Sequence, residues 1–382
     1  MQKKFSLFVC LFLTLCTPPC LQGDIIIDYT HDTAGFFSGN ATAKSALEAA
    51  ANDISKVLRL GGNLGSISEA QNDLTGTNGS TTATASYSLG YSNPETGASE
   101  TWAPFSLGQD EIRIFVGMRN LSGSTLGQGG PGSFSVGFSG SGFASEWVGA
   151  VADMEAQSNA VLGRGHGPTI STIEGGLTLG GTPATYSISK GVTHGNLWFD
   201  SDTDNDGDFD TNAELEASWH FNHNTSVAAG KNDFYSVALH EILHSIGYGT
   251  SESFDDLIDG DELDGDDDDW LGANAIAENG GTGVDLIDDG HGHLASGTMS
   301  TSIVDGLAQE AVMTPSITTG TRKHLTHLDI AILKDIGFTN AAAVPEPGTL
   351  AMLSVLSVGG VFLARRKRAR WIASDSDDSL VA

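Results

Sequence analysis

The thirteen residues from Tyr235 to Gly247 constrain this chain more than any other stretch. Val237, Ala238, Leu239, Ile242, Leu243 and Ile246 make it strongly apolar, so the pattern predicts a buried helix over Asn232 to Gly247, stopped by Gly247 and Gly249. Residues four apart on a helix stand one turn above each other, so His240 and His244 direct two imidazoles at one point. Two histidines and Glu241 in an apolar helix are costly unless they share an ion, and the spacing suits a tetrahedral zinc site. Zn2+ is the expected cofactor, with His240 and His244 as ligands. Glu241 stands beside the metal, where a carboxylate can take a proton from a metal-activated water.

The rest of the chain must bury that helix, and 39% hydrophobic residues in 382 suffice for a core. Asp and Glu number 48 against 18 Lys and Arg, a net charge of −30, which repels a phosphate backbone and argues against a nucleic-acid partner. The termini differ from this acidic body. Lys3 and Lys4 precede the apolar run Phe5 to Leu15, then Pro18, Pro19 and Gly23, the layout of a secretory signal peptide over 1–23. Cys10, Cys16 and Cys20 all lie within it. The body beyond therefore has no thiol, which excludes disulfides, cysteine nucleophiles and Cys-ligated zinc.

At the other end, Val344-Pro345-Glu346-Pro347-Gly348 leads into the mostly apolar stretch 349–364, then Arg365, Arg366, Lys367, Arg368 and Arg370, a cytoplasmic stop signal. This layout over 344–370 resembles the PEP-CTERM sorting signal of Gram-negative bacteria. The resemblance implies export across the inner membrane, transient anchoring through the C-terminal segment, an exosortase-type processing partner, and a cell-surface, matrix or secreted destination. A short tail, 371–382, continues where such signals usually stop.

Residues 24–345 carry 44 Asp and Glu against 11 Lys and Arg, and 25 of the 44 lie between Asp200 and Asp289. Asp202, Asp204, Asp206, Asp208 and Asp210, with Gly207 at the sixth place, match the start of a calcium loop. The twelfth place is Ala213, with Glu214 one later. Ca2+ is a candidate second cofactor, and a solvated acidic loop is the alternative. These residues form one acidic insertion, 200–216. Another, 255–269, has no such spacing and reads as a solvated run.

Asp24 to Tyr29 reads as a first strand, Ala41 to Leu60 as an amphipathic helix, and 62–110 as short strands and loops. Glu111 to Leu121 alternates like a strand beside the Gly-rich Gly123 to Gly142, as a sheet edge would. Ile170 to Ile188 gives further short strands. Leu325 to Ile336 gives a last helix, with Thr326 and Asp329 at capping-box spacing. The order predicts an α/β or α+β layer structure.

A catalytic zinc wants a third protein ligand. The segment Gln309 to Ser316, with Met313 and Pro315, resembles the Met-turn (here 311–316) of metzincin peptidases. The zinc helix resembles their HExxHxxGxxH motif as far as Gly247, with Thr250 where the third His would stand. The opening Tyr29 to Phe37, the stretch Ile114 to Gly132, Trp219 to Phe221, and Leu325 to Phe338 extend the likeness across most of 24–340. The resemblance implies a metzincin-like metalloprotease domain with a twisted mixed sheet, an active-site helix, a Met-turn with Met313 as the floor beneath the metal, and long loop insertions. It implies that the 111–117 strand is the upper rim of the cleft, pairing with a polypeptide substrate. It also implies a third ligand from a loop before the Met-turn: His293, with His291 or an acidic residue between Glu252 and Asp269 as alternatives. The activity implied is an exported zinc endopeptidase. The other reading is a catalytically silent calcium-binding surface or matrix protein that retains the zinc helix. His31, His166, His194, His220, His223, His324 and His327 read as surface or capped residues rather than ligands.

Overall fold

The computed structural model describes residues 24–58, 64–259, 268–287 and 290–338. The signal peptide, the sorting signal and the tail read from the sequence lie outside them. Among the described residues, no helix is long and apolar enough to cross a membrane.

Four strands form the sheet nearest the site: β1 (Asp24–Asp28), β2 (Glu111–Arg119), β3 (Gly127–Pro131) and β4 (His194–Asp200), side by side in the order β1-β2-β4-β3. β1, β2 and β4 run parallel and β3 runs antiparallel to β4, so the sheet is mixed. The principal helices are α1 (Ala41–Leu58), α2 (Trp147–Leu162), α3 (Phe234–Ser245) and α4 (His327–Asp335). The fold is α+β. Ile112, Ile114, Val116 and Met118 of β2, with Leu197 and Phe199 of β4, share one core with the buried stripes of α1 and α3.

The expectation that 111–117 is a sheet edge is corrected. β2 is hydrogen-bonded on both sides, to β1 and to β4. Ile114 to Met118 are buried without a break, because a central strand covered on both faces has no solvent side. The edges are β1 and β3, and the one that lines the cleft is β3, whose only partner among the described strands is β4.

A second core lies beside the first. Strands Asp73–Asn78, Thr81–Ser92 and Ser99–Trp102 form an antiparallel sheet that Ser133–Ser141 joins on Thr81–Ser92. Leu74, Ala83, Ala85 and Leu89 of this sheet pack against α2 and the long hairpin Thr169–Leu179/Thr182–Gly191. Sequence reading passed over α2, although Trp147, Ala150, Val151, Met154 and Leu162 form a buried stripe at helical spacing. Arg164, only 2% exposed, ties the two cores together. It donates to the carbonyls of Gly65 (2.7 Å), Glu111 (2.8 Å), Val192 (2.9 Å) and Gly108 (3.2 Å).

Candidate metal centre

α3 is buried on nearly every side, its apolar residues and also Ser236, Glu241, His244 and Ser245 included. It begins two residues later than expected, because Asn232–Asp233 pair with Trp219–His220 as a short parallel bridge. Asp233 caps α3 by accepting from Ser236 N, and Arg322 grips its carboxylate with two bonds of 2.9 and 2.7 Å. The helix stops at Gly247, whose φ of 111° suits glycine alone, and Tyr248 N closes the end on Leu243 O at 3.0 Å.

Along α3, His240 and His244 meet His293 from a distant loop. Their Nε2 atoms stand 3.0 Å (His240 to His293), 3.1 Å (His240 to His244) and 3.1 Å (His244 to His293) apart. Three nitrogens at bonding distance from one tetrahedral zinc stand roughly 3.3 Å apart, so this triad needs little adjustment. His240 Nδ1 bonds the Val312 carbonyl and His244 Nδ1 bonds the Tyr248 carbonyl, each at 2.9 Å. A ring donating through Nδ1 keeps its Nε2 bare when neutral. Burial, reinforced by His244 and His293, holds His240 well below the ordinary histidine value. Burial and His293 push His244 down to about 4, and burial lowers His293. His240 and His244 thus aim lone pairs at the point where His293 Nε2 also arrives, an arrangement that a cation relieves. The residues present fit zinc.

Two backbone contacts bring His293 in. A Cβ on Gly249 would stand 2.1 Å from Gly292 O, so a glycine at 249 is what allows this approach beside the end of α3. Leu294 N then donates to Met313 O at 3.0 Å, joining the ligand loop to the 311–316 turn, in which Met313 is fully buried. His291, the alternative ligand, points elsewhere, with Nε2 2.6 Å from Asp268 Oδ2. None of the described acidic residues between Glu252 and Asp269 joins the triad. Residues 260–267 of that run, and Asp288 and Asp289, lie outside the described residues. Thr250 caps instead of ligating, its hydroxyl donating to His244 O at 2.6 Å.

Glu241 and the three histidines line an open cleft of about 1190 Å³. Burial raises the Glu241 carboxyl to about 8. β3 forms the upper rim. A Cβ on Gly129 would meet Glu241 O at 2.3 Å, and one on Gly127 would meet Glu241 Cγ at 2.9 Å, so the sequence Gly-Gln-Gly-Gly-Pro lets the strand lie directly on α3. The opposite wall is Val312, Thr314, Pro315, Ser316 and Ile317. Lys323 fixes it, donating to Thr314 Oγ1 (2.6 Å) and Ser316 O (2.8 Å) and pairing with Glu310 (2.9 Å).

Of the five calcium-loop candidates, Asp202, Asp204 and Asp210 converge, with one oxygen of each within 4.8 Å of the others. Asp206 and Asp208 lie outside that group. Asp206 spends its carboxylate on Asp208 N and its own N–H on Asp202. Asp200, not singled out from the sequence, is buried beside Asp202 and Asp210, and burial raises its carboxyl. The loop is tied to the segment entering β3: Leu121 N donates to Asp200 (2.9 Å), and Gly123 N donates to Asn205 (2.9 Å). His194, read as a surface or capped residue, is instead fully buried, with Nδ1 on Thr193 and Nε2 on Gly90 O.

Compared with protein-family models, with curated proteins and with solved structures, the chain matches none.

Proposed function

We propose that this chain is an exported zinc-dependent endopeptidase of metzincin-like architecture. The observation that carries the reading is the meeting of three histidine Nε2 atoms beside Glu241 in an open cleft. His240, His244 and His293 would hold the zinc, which when bound would supply Lewis-acid polarisation and a water acidified toward neutrality. Glu241 takes the water's proton and returns it to the leaving amine. Its place against Gly127, on the substrate side of α3, suits that role. A polypeptide in extended form pairs with the free edge of β3, which needs no particular side chain. Met313 lies in the turn whose Val312 carbonyl orients His240, as a Met-turn would.

Calcium is proposed for Asp202, Asp204 and Asp210. Asp200, Asp202 and Asp210 are buried, and none forms an ion pair with a basic residue among the described residues. Export, anchoring and processing by an exosortase-type enzyme rest on the sequence of the termini. Hydrolysis of casein or gelatin by the purified protein tests the activity, with Glu241→Ala as control. Loss of hydrolysis in the variant with zinc retained is expected. Equal hydrolysis by both proteins refutes the role of Glu241, and zinc uptake without hydrolysis by either favours the silent, metal-loaded surface protein.

A further inference from the structure

Two carbonyls orient the metal-facing histidines of α3, those of Val312 and Tyr248, and both residues adjoin one side chain. Asp329, in the first turn of α4, is completely buried and makes no ion pair among the described residues. Its Oδ2 accepts from Thr326 N (2.9 Å), Thr326 Oγ1 (2.7 Å) and Val312 N (3.3 Å), and the Met313 N–H also faces the carboxylate. Among the described residues Oδ1 has no hydrogen-bond partner, nor has the buried hydroxyl of Tyr248, and the two groups interact electrostatically. Capping α4 calls only for Oδ2. A helix cap at a surface needs no buried charge, and burying one is costly without compensation.

The geometry points to Asp329 as a positioning residue for the metal centre, holding through Val312 and Tyr248 both carbonyls that set the His240 and His244 rings. On one arm, the Met313 N–H and the Val312 C=O belong to the same peptide unit. An anion on its N–H side fixes that peptide and strengthens its carbonyl as the acceptor for His240 Nδ1. On the other arm, Tyr248 stands between Gly247 and Gly249, at φ 111° and 66°, in a turn held at its start by Tyr248 N on Leu243 O. The ring contributes as well, packed in a tilted arrangement against Phe254 (centroids 5.4 Å apart), with its buried hydroxyl in electrostatic interaction with Asp329. One buried carboxylate thereby sets both rings that present Nε2 to the ion, an indirect form of the carboxylate–histidine–metal relay.

The proposal rests on the zinc reading, and its test does not depend on hydrolysis. Zinc affinity is measured by competition with a chromophoric chelator, and the ligand field by the visible spectrum of the Co2+-substituted protein. Asp329→Asn keeps the shape and removes the charge. It is expected to weaken zinc about 10- to 100-fold and alter the Co2+ spectrum. Ile332→Val loosens the same helix in the core and should leave both unchanged. Zinc affinity within threefold of wild type in Asp329→Asn, with an unaltered spectrum, overturns the proposal, as does an equal loss in Ile332→Val. Should Asp329→Asn not fold, Tyr248→Phe carries the test through the other arm: a weakened affinity supports it, and unchanged affinity and spectrum overturn it. A wild-type protein that takes up no zinc overturns both this proposal and the reading beneath it. Zinc uptake without peptide hydrolysis overturns only the endopeptidase.

Discussion

Lys190 is fully buried, with a single bond from Nζ to Gly132 O at 2.5 Å and no carboxylate partner among the described residues. Gly132 follows β3 directly and its N–H donates to His194 O, so this amine helps hold the end of the cleft rim. Burial pushes the Lys190 ammonium from 10.5 down to about 7. A base whose pKa is lower folded than unfolded binds more protons in the unfolded chain between those values, so stability rises with pH between about 7 and 10.5 and is lowest below 7. At ~1.4 kcal/mol per tenfold change in the proton equilibrium, the full effect is at most on the order of 5 kcal/mol. Lys190→Met removes that penalty and also one hydrogen bond worth about 1 kcal/mol. The substitution should therefore stabilise the protein at pH 6 by roughly 1–3 kcal/mol and lose this advantage by pH 10. Urea unfolding at pH 6, 7.5, 9 and 10 reads the difference as a shift in midpoint at constant m. Comparing wild type with variant at each pH cancels the growing self-repulsion of an acidic body. A variant less stable than wild type by the same amount at every pH would refute the reasoning. It would mean that Lys190 is charged and well compensated in the fold.

Further expectations concern the metals and the join between the cores. His293→Ala should lose bound zinc while His291→Ala keeps it, read as stoichiometry by atomic absorption; the reverse pattern would assign the ligand to the wrong histidine. Arg164→Met leaves the carbonyls of Gly65, Gly108, Glu111 and Val192 without this donor and should cost about 3–5 kcal/mol, measured by denaturant unfolding. A cost below 1 kcal/mol would show that water replaces the guanidinium. Adding Ca2+ to chelator-treated, zinc-loaded protein should raise its melting temperature, and Asp202→Asn should abolish the rise; an equal rise in both counts against a site at that loop. In acid, His194, pushed down to about 3 by burial and by Lys190, should make stability fall as pH drops from 6.5 toward 3. Thermal melts of His194→Gln should lack that part of the fall.

The parts of this molecule that sequence reading reached are those in which neighbours in the chain decide the outcome. His240, Glu241 and His244 share one helical turn, so their geometry follows from spacing, and the Thr326/Asp329 cap on α4 follows for the same reason. Choosing between His291 and His293 turns on Gly249 meeting Gly292, a contact across some forty residues that leaves no periodic signal. β2 read as an edge because its first residues alternate. The unbroken run Ile114 to Met118 was the sign of an interior strand, but its neighbours β1 and β4 are remote in sequence. The carbonyls of Val312 and Tyr248 were invisible, because every residue has one. The acidic loop shows the opposite error: regular spacing suggested five cooperating carboxylates, while the turn brings three together and consumes Asp206 in holding itself.

The contact between Gly249 and Gly292 has a consequence for how this molecule can vary. It brings the two ends of the excursion from 250 to 291 together, so the third ligand is tied to the end of α3 directly, while Phe254, Trp270, Val284 and Leu286 anchor the excursion in the core. Lengthening a loop whose ends are already fixed costs little, about 0.6 kcal/mol for each doubling. An exposed turn within the described part of that excursion, such as Asn279 to Thr282, can therefore take an insertion while the triad of histidines keeps its dimensions.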